Sequence, residues 1–529
     1  MKQISILLLF FALLTNGIDA FSATPQKSQK KAINAIKRIA SDIMYDESGD
    51  VSSIIFDETQ VSDADLVHLK GMNSLKNLRL SKTKITDAGL EHLKRLPNLR
   101  TLTLDDTEIT DTGLVHLKEM VSLNTLHLSN TKVTDSGLVY LKGLTNLGEL
   151  YLDGTQITDA GIAHLNAPMR LSLKGTKITD AGLVHVKEMS RLQDLYLDNT
   201  NISDAGLVHL KGVNLRLLSL NGTKLSGAGL VHLKGMTNLV QLSLNGTKLS
   251  GDGLVHLKGL TNLVQLSLEG THVSDADIVH IRGLNDLAIL ELGNTKITDV
   301  GLVYLKELKR LVALSLKNTN ITGSGLIHLK DLVRLNSLDL SSTKITDASL
   351  ANLKVMTSLN MLNLNNTKVT NNGLVHLNEL TGLLSLEINN TNVTDDGLVH
   401  LKAMENLLFL KLKNTRITDA GLVHLKASIN LVEFDLSNTK VSGVGLDHLH
   451  NLAILNLSNT KITDSNLSRI GDLNRLVHLV LNDTQVTDVG LIKLIRLSSL
   501  RILELAHTRV TVKGMNTLKA ALPGCKILR

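Results

Sequence analysis

Apolar and polar positions alternate with a fixed phase along nearly the whole chain, and residues 239–264, LVQLSLNGTKLSGDGLVHLKGLTNLV, show one full copy of the pattern. Leu242 and Leu244 alternate with Gln241, Ser243 and Asn245, which predicts a short strand with its leucines inward and its polar residues outward. Leu254, Leu257 and Leu260 then recur every three residues, the stripe expected on the buried side of a short helix. Between the two lies a turn. The residue before Thr247 is Gly246, and elsewhere Asn130 or Asn366, types that tolerate positive φ. The Thr247 hydroxyl both donates and accepts, so it suits a turn facing the core, and stacked threonines are expected to form an internal ladder. Leu249 plugs the core, and a Thr or Ser followed by Asp, clear in Thr86 and Asp87, predicts the helix cap.

That turn threonine returns 20 times between Thr59 and Thr508, and 16 of the 19 intervals are 24 residues, the others being 21, 21 and 23. Self-similarity at this period predicts a solenoid, with each copy too small to bury its own apolar face and stability arising between neighbours.

The unit LxxLxLxxTx(I/V)(T/S)DxGLxxLKxL resembles a leucine-rich repeat, with Thr where that family carries Asn. Its second half, ITDxGLxxL, is similar to the cysteine-containing subtype with Thr for Cys, and the 24-residue TxITDxGL form resembles repeats common in exported bacterial leucine-rich proteins. The resemblance implies an α/β fold, a right-handed curved solenoid with a parallel sheet on the concave face and short helices on the convex face. It spans residues 50–529 and is specific for fold, whereas ligands differ across the family.

The two ends break the pattern. Residues 1–23 carry one early lysine, an apolar run over residues 4–14 and small residues at Ala20 and Ala23, which predicts a signal peptide. The run is too short for a membrane span, so no transmembrane segment is expected in the mature chain. Residues 24–50 read as a linker and amino-terminal cap: a short helix with Ile33, Ile36 and Ile39 on one side, then a hairpin through Glu47, Ser48, Gly49 and Asp50. Residues 51–529 read as one solenoid, closed by Pro523, Gly524 and a last strand with Cys525 and Ile527. Cys525 is the only cysteine, so no intrachain disulfide is available. Export without disulfides points to a secreted or bacterial envelope protein.

Charge divides by column. The chain is formally +6, yet the strand positions six, four and two before each threonine hold 13 acidic and 6 basic residues. Much of the basic surplus lies in the helices as a recurring lysine, among them Lys94, Lys211 and Lys258, a ridge best read as a solvated face. Histidine stands two positions earlier in 14 repeats, including His92, His256 and His424, and a packing role is expected rather than metal ligation. Such part-buried histidines are expected to be neutral and to cost stability as pH falls below about 6.5. The residue after the first helix leucine, Val115, Val208, Val231, Val255 or Val399, sits about 160° from the leucine stripe. It forms either an exposed stripe or one covered by neighbouring helices, and the second reading is preferred.

The strand columns suggest one binding patch. His127, Glu149, Tyr151, Asp153, Asp194, Tyr196 and Asp198 fall on nearby strands, with Arg170, Ser172 and Lys174 on the coil between and Pro168 in a shortened interval. Tyrosines ringed by carboxylates suit a basic peptide or a sugar. Asp339, Glu387, Phe409, Lys411, Glu433 and Asp435 form a second candidate. Repeats from Thr223 to Thr271 are nearly identical, display Gln, Ser and Asn, and read as duplicated spacer. No nucleophile and base or isolated carboxylate pair stands out, so no catalytic residue, metal or cofactor is expected. Scarce arginine and aromatic residues argue against a nucleic-acid partner. The expected function is a non-catalytic exported scaffold binding a protein or peptide, with a glycan as another choice. The alternatives are an intracellular substrate-recognition adaptor of ubiquitin-ligase type and a self-assembling cell-surface protein.

Overall fold

The computed structural model describes residues 30–529, so the signal peptide assigned to residues 1–23 lies outside the described residues. The chain forms two compact units, one ending at Asn201 and the other Ile202–Arg529, where the repeats alone read as a single run. Each unit is an α/β solenoid.

The first unit opens with the helix Lys30–Ile36, whose Ile33 and Ile36 are buried, whereas Ile39 lies past the helix end and is half-buried. Strand Asp42–Tyr45 then pairs antiparallel with Val51–Ile55. The turn between them closes with the Asp46 N–H donating to the Asp50 carbonyl at 2.8 Å and with Gly49 at φ 82°. A short helix and a hairpin thus stand where the sequence pattern places them. From there the strands are parallel and in register, Ser53 beside Asn77, then Thr101, Thr125, Glu149, Arg170 and Asp194. In the second unit the same position runs from Leu217 through Gln241 and Gln265 to Ile289, and later from His478 through Ile502 to Lys526. Helix Val512–Ala521 and strand Lys526–Leu528 finish it, with Cys525 buried.

Core and turn follow the pattern of the unit. Leu242, Leu244, Leu249, Leu254, Leu257 and Leu260 are all fully buried. Thr247 is 2% exposed, and its hydroxyl donates to the Leu244 carbonyl at 2.7 Å. The same bond within one coil recurs at Thr83, Thr107 and Thr391, so the threonines satisfy their own turns and do not join one another in the expected ladder. The reason is reach: a carbonyl three residues back is closer than the hydroxyl of the next coil.

The bond between coils belongs to aspartate instead. Asp63, the first residue of its helix, accepts from both the N–H and the hydroxyl of Thr86 one coil on, at 2.8 and 2.6 Å. Asp87 does this for Thr110, Asp111 for Thr134, Asp275 for Thr298 and Asp395 for Thr418. The cap bond within a helix is longer, 3.4 Å from the Ala88 N–H to the Thr86 hydroxyl. Each carboxylate also fills the space beside the third helix residue of the next coil. A Cβ at Gly89 would overlap Asp63 Oδ1, and one at Gly113 would overlap Asp87 Oδ1.

Helix sides differ from expectation in one respect. The helices of the coils between residues 63 and 496 are α or 3₁₀ segments of three to seven residues, and Val208, Val231, Val255 and Val399 are 44, 41, 41 and 42% exposed, whereas Val115 is half-buried. The preferred reading, that neighbouring helices cover the valine stripe, is therefore corrected: such short helices lack the length to lean over one another's outer face.

Candidate functional site

All seven residues of the first patch lie in the first unit on consecutive strands, Thr125–His127, Glu149–Tyr151, Arg170–Ser172 and Asp194–Tyr196, or just after them. The parallel register sets Glu149, Arg170 and Asp194 side by side in one row and His127, Tyr151, Ser172 and Tyr196 in the next. Two residues along a strand face the same way, so both rows share one face.

Arg170 holds the first row together. Its Nε and Nη2 donate to Asp194 Oδ2 at 3.1 and 2.9 Å, and its Nη1 reaches Glu149 Oε2 at 3.4 Å and the Tyr151 hydroxyl oxygen at 3.2 Å. The Tyr151 hydroxyl donates in turn to Glu149 Oε2 at 3.1 Å. The bond to Tyr151, with those to the carboxylates, holds the guanidinium proton more tightly than usual despite burial. Burial pushes the Tyr151 phenol up, so it stays protonated and keeps donating.

The aromatic row is equally fixed. The rings of His127 and Tyr151 stack with centroids 4.1 Å apart at 22°. His127 Nδ1 lies 3.4 Å from Asp105 Oδ2, one strand earlier. Burial pushes the Asp105 carboxyl up, but its bonds to His127 and the Ser129 N–H outweigh this and leave it below the usual range. On the other side the Lys174 ammonium sits 4.6 Å above the Tyr196 ring and 3.7 Å from Asp198. Asp153 accepts from the Ser172 hydroxyl and from the Lys174 N–H.

The structure thus brings the predicted residues together and changes their meaning. Of the predicted carboxylates, Glu149 and Asp194 bind Arg170, Asp198 lies by the Lys174 ammonium, and Asp153 accepts from the Ser172 hydroxyl and the Lys174 N–H. Arg170 and Lys174, given above only as neighbours, are integral. Asp105 was missed, although it stands two before Thr107 in an outward column; register places Thr103 beside His127, and the Asp105 side chain reaches the ring from two residues further along the strand.

The second candidate lies in the other unit and repeats the motif. Register aligns Asp339, Asn363, Glu387, Lys411 and Asp435, with Phe409 beside Glu433. Lys411 Nζ lies 3.4 Å from buried Glu387 and 3.5 Å from Glu433. Burial works against its charge, but those two carboxylates prevail and raise its pKa.

Other expectations have plainer outcomes. The column histidines His92, His256 and His424 are half-buried on their helices. In the same column His448 has a buried Nε2 without a hydrogen-bond partner, and burial pushes its pKa down. Among the described residues no group of three or more His, Cys, Asp or Glu side chains is placed to hold a metal ion. Among them, too, no helix is long and apolar enough to cross a membrane.

Comparison with known proteins agrees with this architecture. A family model described as a leucine-rich repeat matches residues 71–94 and 120–142, two of the 24-residue units. Among solved structures, TLR13 in its complex with ssRNA13 is 20% identical, covering 87% of this chain and 68% of that one, with a TM-score of 0.54. An internalin (inlF) of Listeria monocytogenes is 24% identical over 79% of this chain and 96% of its own, TM-score 0.40. A leucine-rich repeat protein of Leptospira interrogans is 20% identical over 78% and 91%, TM-score 0.43. No curated protein sequence matches the chain. With its 24-residue unit, its stacked three-residue strands and the repeat model that matches two of its coils, the chain carries leucine-rich repeats and has the fold of a leucine-rich repeat solenoid.

Proposed function

We propose that the chain is an exported, non-catalytic interaction scaffold that binds a protein or peptide on the strand face of its first unit, through His127, Tyr151 and Tyr196 and the polar groups around them. The observation that carries this reading is the fixed aromatic row. The His127 and Tyr151 rings are stacked, Tyr151 is tied to Arg170 and Glu149, and Tyr196 lies under Lys174. Side chains already held in place lose little freedom when a partner docks, so their contact area converts more fully into affinity. Tyrosine rings supply that area, and the Tyr151 hydroxyl stays hydrogen-bonded to Glu149.

Electrostatics supports a protein over a nucleic acid. Asp105, Glu149, Asp153, Asp194 and Asp198 outnumber Arg170 and Lys174 on this face, so a phosphate backbone would meet net repulsion. The TLR13 structure holds ssRNA, and the structure of a plant peptide hormone receptor holds RGF2. The carboxylate excess here favours the second type of ligand. Export rests on the apolar stretch of residues 4–14.

The test is a pull-down from cell-envelope and culture-medium extracts with the native chain beside a Tyr151→Ala, Tyr196→Ala double variant. A partner captured by the native chain and lost from the variant, with both melting at the same temperature, supports the site. A partner kept by both removes it.

A further inference from the structure

We propose that the helix side of the coils spanning residues 205–263 docks on an anionic lipid surface. The strand face of these coils is bland, with Gln241 and Ser243 half-buried there, but their other side is not. Three consecutive 3₁₀ segments, Gly206–Leu210, Ala228–Leu233 and Gly251–Leu257, pack against one another here. In a 3₁₀ helix residues three apart eclipse. Exposed Val208, Val231 and Val255 therefore stand in line with exposed Lys211, Lys234 and Lys258, which follow them by three. Stacking turns these pairs into two parallel rows, one apolar and one basic.

Charge is segregated here more sharply than elsewhere. Residues 205–263 contain six basic residues, Lys211, Arg216, Lys224, Lys234, Lys248 and Lys258, against one acid, Asp252. The usual aspartate at the helix start is replaced by Gly227 and Gly251. The residue after each column lysine is Gly212, Gly235 or Gly259, whereas Lys118, Lys187 and Lys306 are followed by Glu119, Glu188 and Glu307. Asp204, at the margin, is occupied with the N–H groups of Ser226, Gly227 and Gly229.

A basic row alone would fit any polyanion. The valine row beside it distinguishes lipid, because a headgroup layer offers phosphate to the lysines and acyl chain to the valines at once, whereas a soluble polyanion leaves the valines in water. A nucleic acid would instead call for stacking aromatic residues, which these helices do not carry.

The experiment is vesicle co-sedimentation of the full chain with pure phosphatidylcholine and with phosphatidylcholine containing phosphatidylglycerol. A Lys211→Gln, Lys234→Gln, Lys258→Gln variant and a Val208→Ser, Val231→Ser, Val255→Ser variant are run beside it. Native and variant chains share residues 4–14, so their difference reads this face alone. We expect binding to the anionic vesicles, a loss of about fivefold per lysine removed, release by salt, and a further loss in the serine variant. Equal binding by native and lysine variants overturns the proposal. So does a serine variant that binds like the native chain while heparin or single-stranded DNA competes fully, which would mark a polyanion site. Circular dichroism melts exclude misfolding of either variant.

Discussion

Asp339 lies part-buried on the strand face, where burial pushes its carboxyl above the usual range and the charge of Glu387 adds to the push. It accepts the Ser341 N–H at 2.9 Å. One strand on, Asn363 does the same for the Asn365 N–H at 3.0 Å, so an amide suffices for that bond. A carboxyl whose folded pKa is raised binds its proton more readily in the native state, and its charge opposes folding once pH rises through that value. Asp339→Asn is therefore expected to raise the melting temperature at pH 7 and leave it nearly unchanged at pH 3, read by calorimetry at both. The opposite order of effects would mean that the charge is needed. At this scale the sequence was partly legible. Columns of outward residues followed from period two, so His127, Tyr151 and Tyr196 could be named in advance. Arg170 could be placed on the coil between them, but that its guanidinium would bind both Glu149 and Asp194 could not be read, because column position fixes which strands adjoin and not which side chains bond.

Between one coil and the next, the aspartate at the helix start and the glycine at its third position act as a pair. Wherever the preceding coil has Asp or Asn, the third position is Gly, as in Asp63 with Gly89, Asn371 with Gly397 and Asp488 with Gly514. Where the preceding coil has Gly or does not exist, the third residue can instead supply the missing acceptor from its own helix. Asp65 takes the Ser62 N–H, Asp277 the Ser274 N–H, Ser349 the Thr346 N–H and Asn466 the Thr463 N–H. Only the contact of Gly227 with Gly253 leaves both positions bare, and there a Cβ at Gly253 would lie 2.8 Å from Gly227 Cα. The helix glycine is thus set by its neighbour's carboxylate, against its own poor helix propensity. Gly113→Ala is expected to cost about 1–3 kcal/mol through overpacking against Asp87. In the Asp87→Ala background the same change is expected to cost far less, and a chemical-denaturation double-mutant cycle measures the coupling. Additive effects would reject the pairing. Reading one repeat at a time concealed this, because Asp and Gly each had a sufficient explanation inside their own helix, as a cap and as a turn former.

Across the chain, stability is a sum of such contacts, and many are charged. Burial pushes the Asp87, Asp204 and Asp299 carboxyls up, yet the hydroxyl and N–H donors of the next coil overcome it and hold them below the usual range. The Thr511 hydroxyl does the same to Asp488. Groups with a lowered folded pKa contribute fully above about pH 4 and lose their contribution as pH falls through the folded value. A melting temperature that is steady near neutrality and falls steeply below about pH 4 is expected, and a flat profile to pH 3 would show that these bonds carry no weight. Fold class was legible throughout because a 24-residue period recurs across the sequence and one repeat constrains the next. The division at Asn201 was not, because the interval from Thr200 to Thr223 differs from its neighbours by a single residue. The aspartate and glycine pairing also bears on how such an array can change its length. Each copy carries on one side a group that its successor must accommodate, so copies are not freely interchangeable units of inheritance. An unequal crossover that set the coil of Asp277 behind one starting with Asp would force two carboxylates into the same space, whereas most other exchanges would be silent. The runs from Asp63 to Asp204 and from Asp347 to Asp419 are where whole repeats can be gained or lost without penalty, and the glycines at 227, 251, 323 and 443 mark the seams.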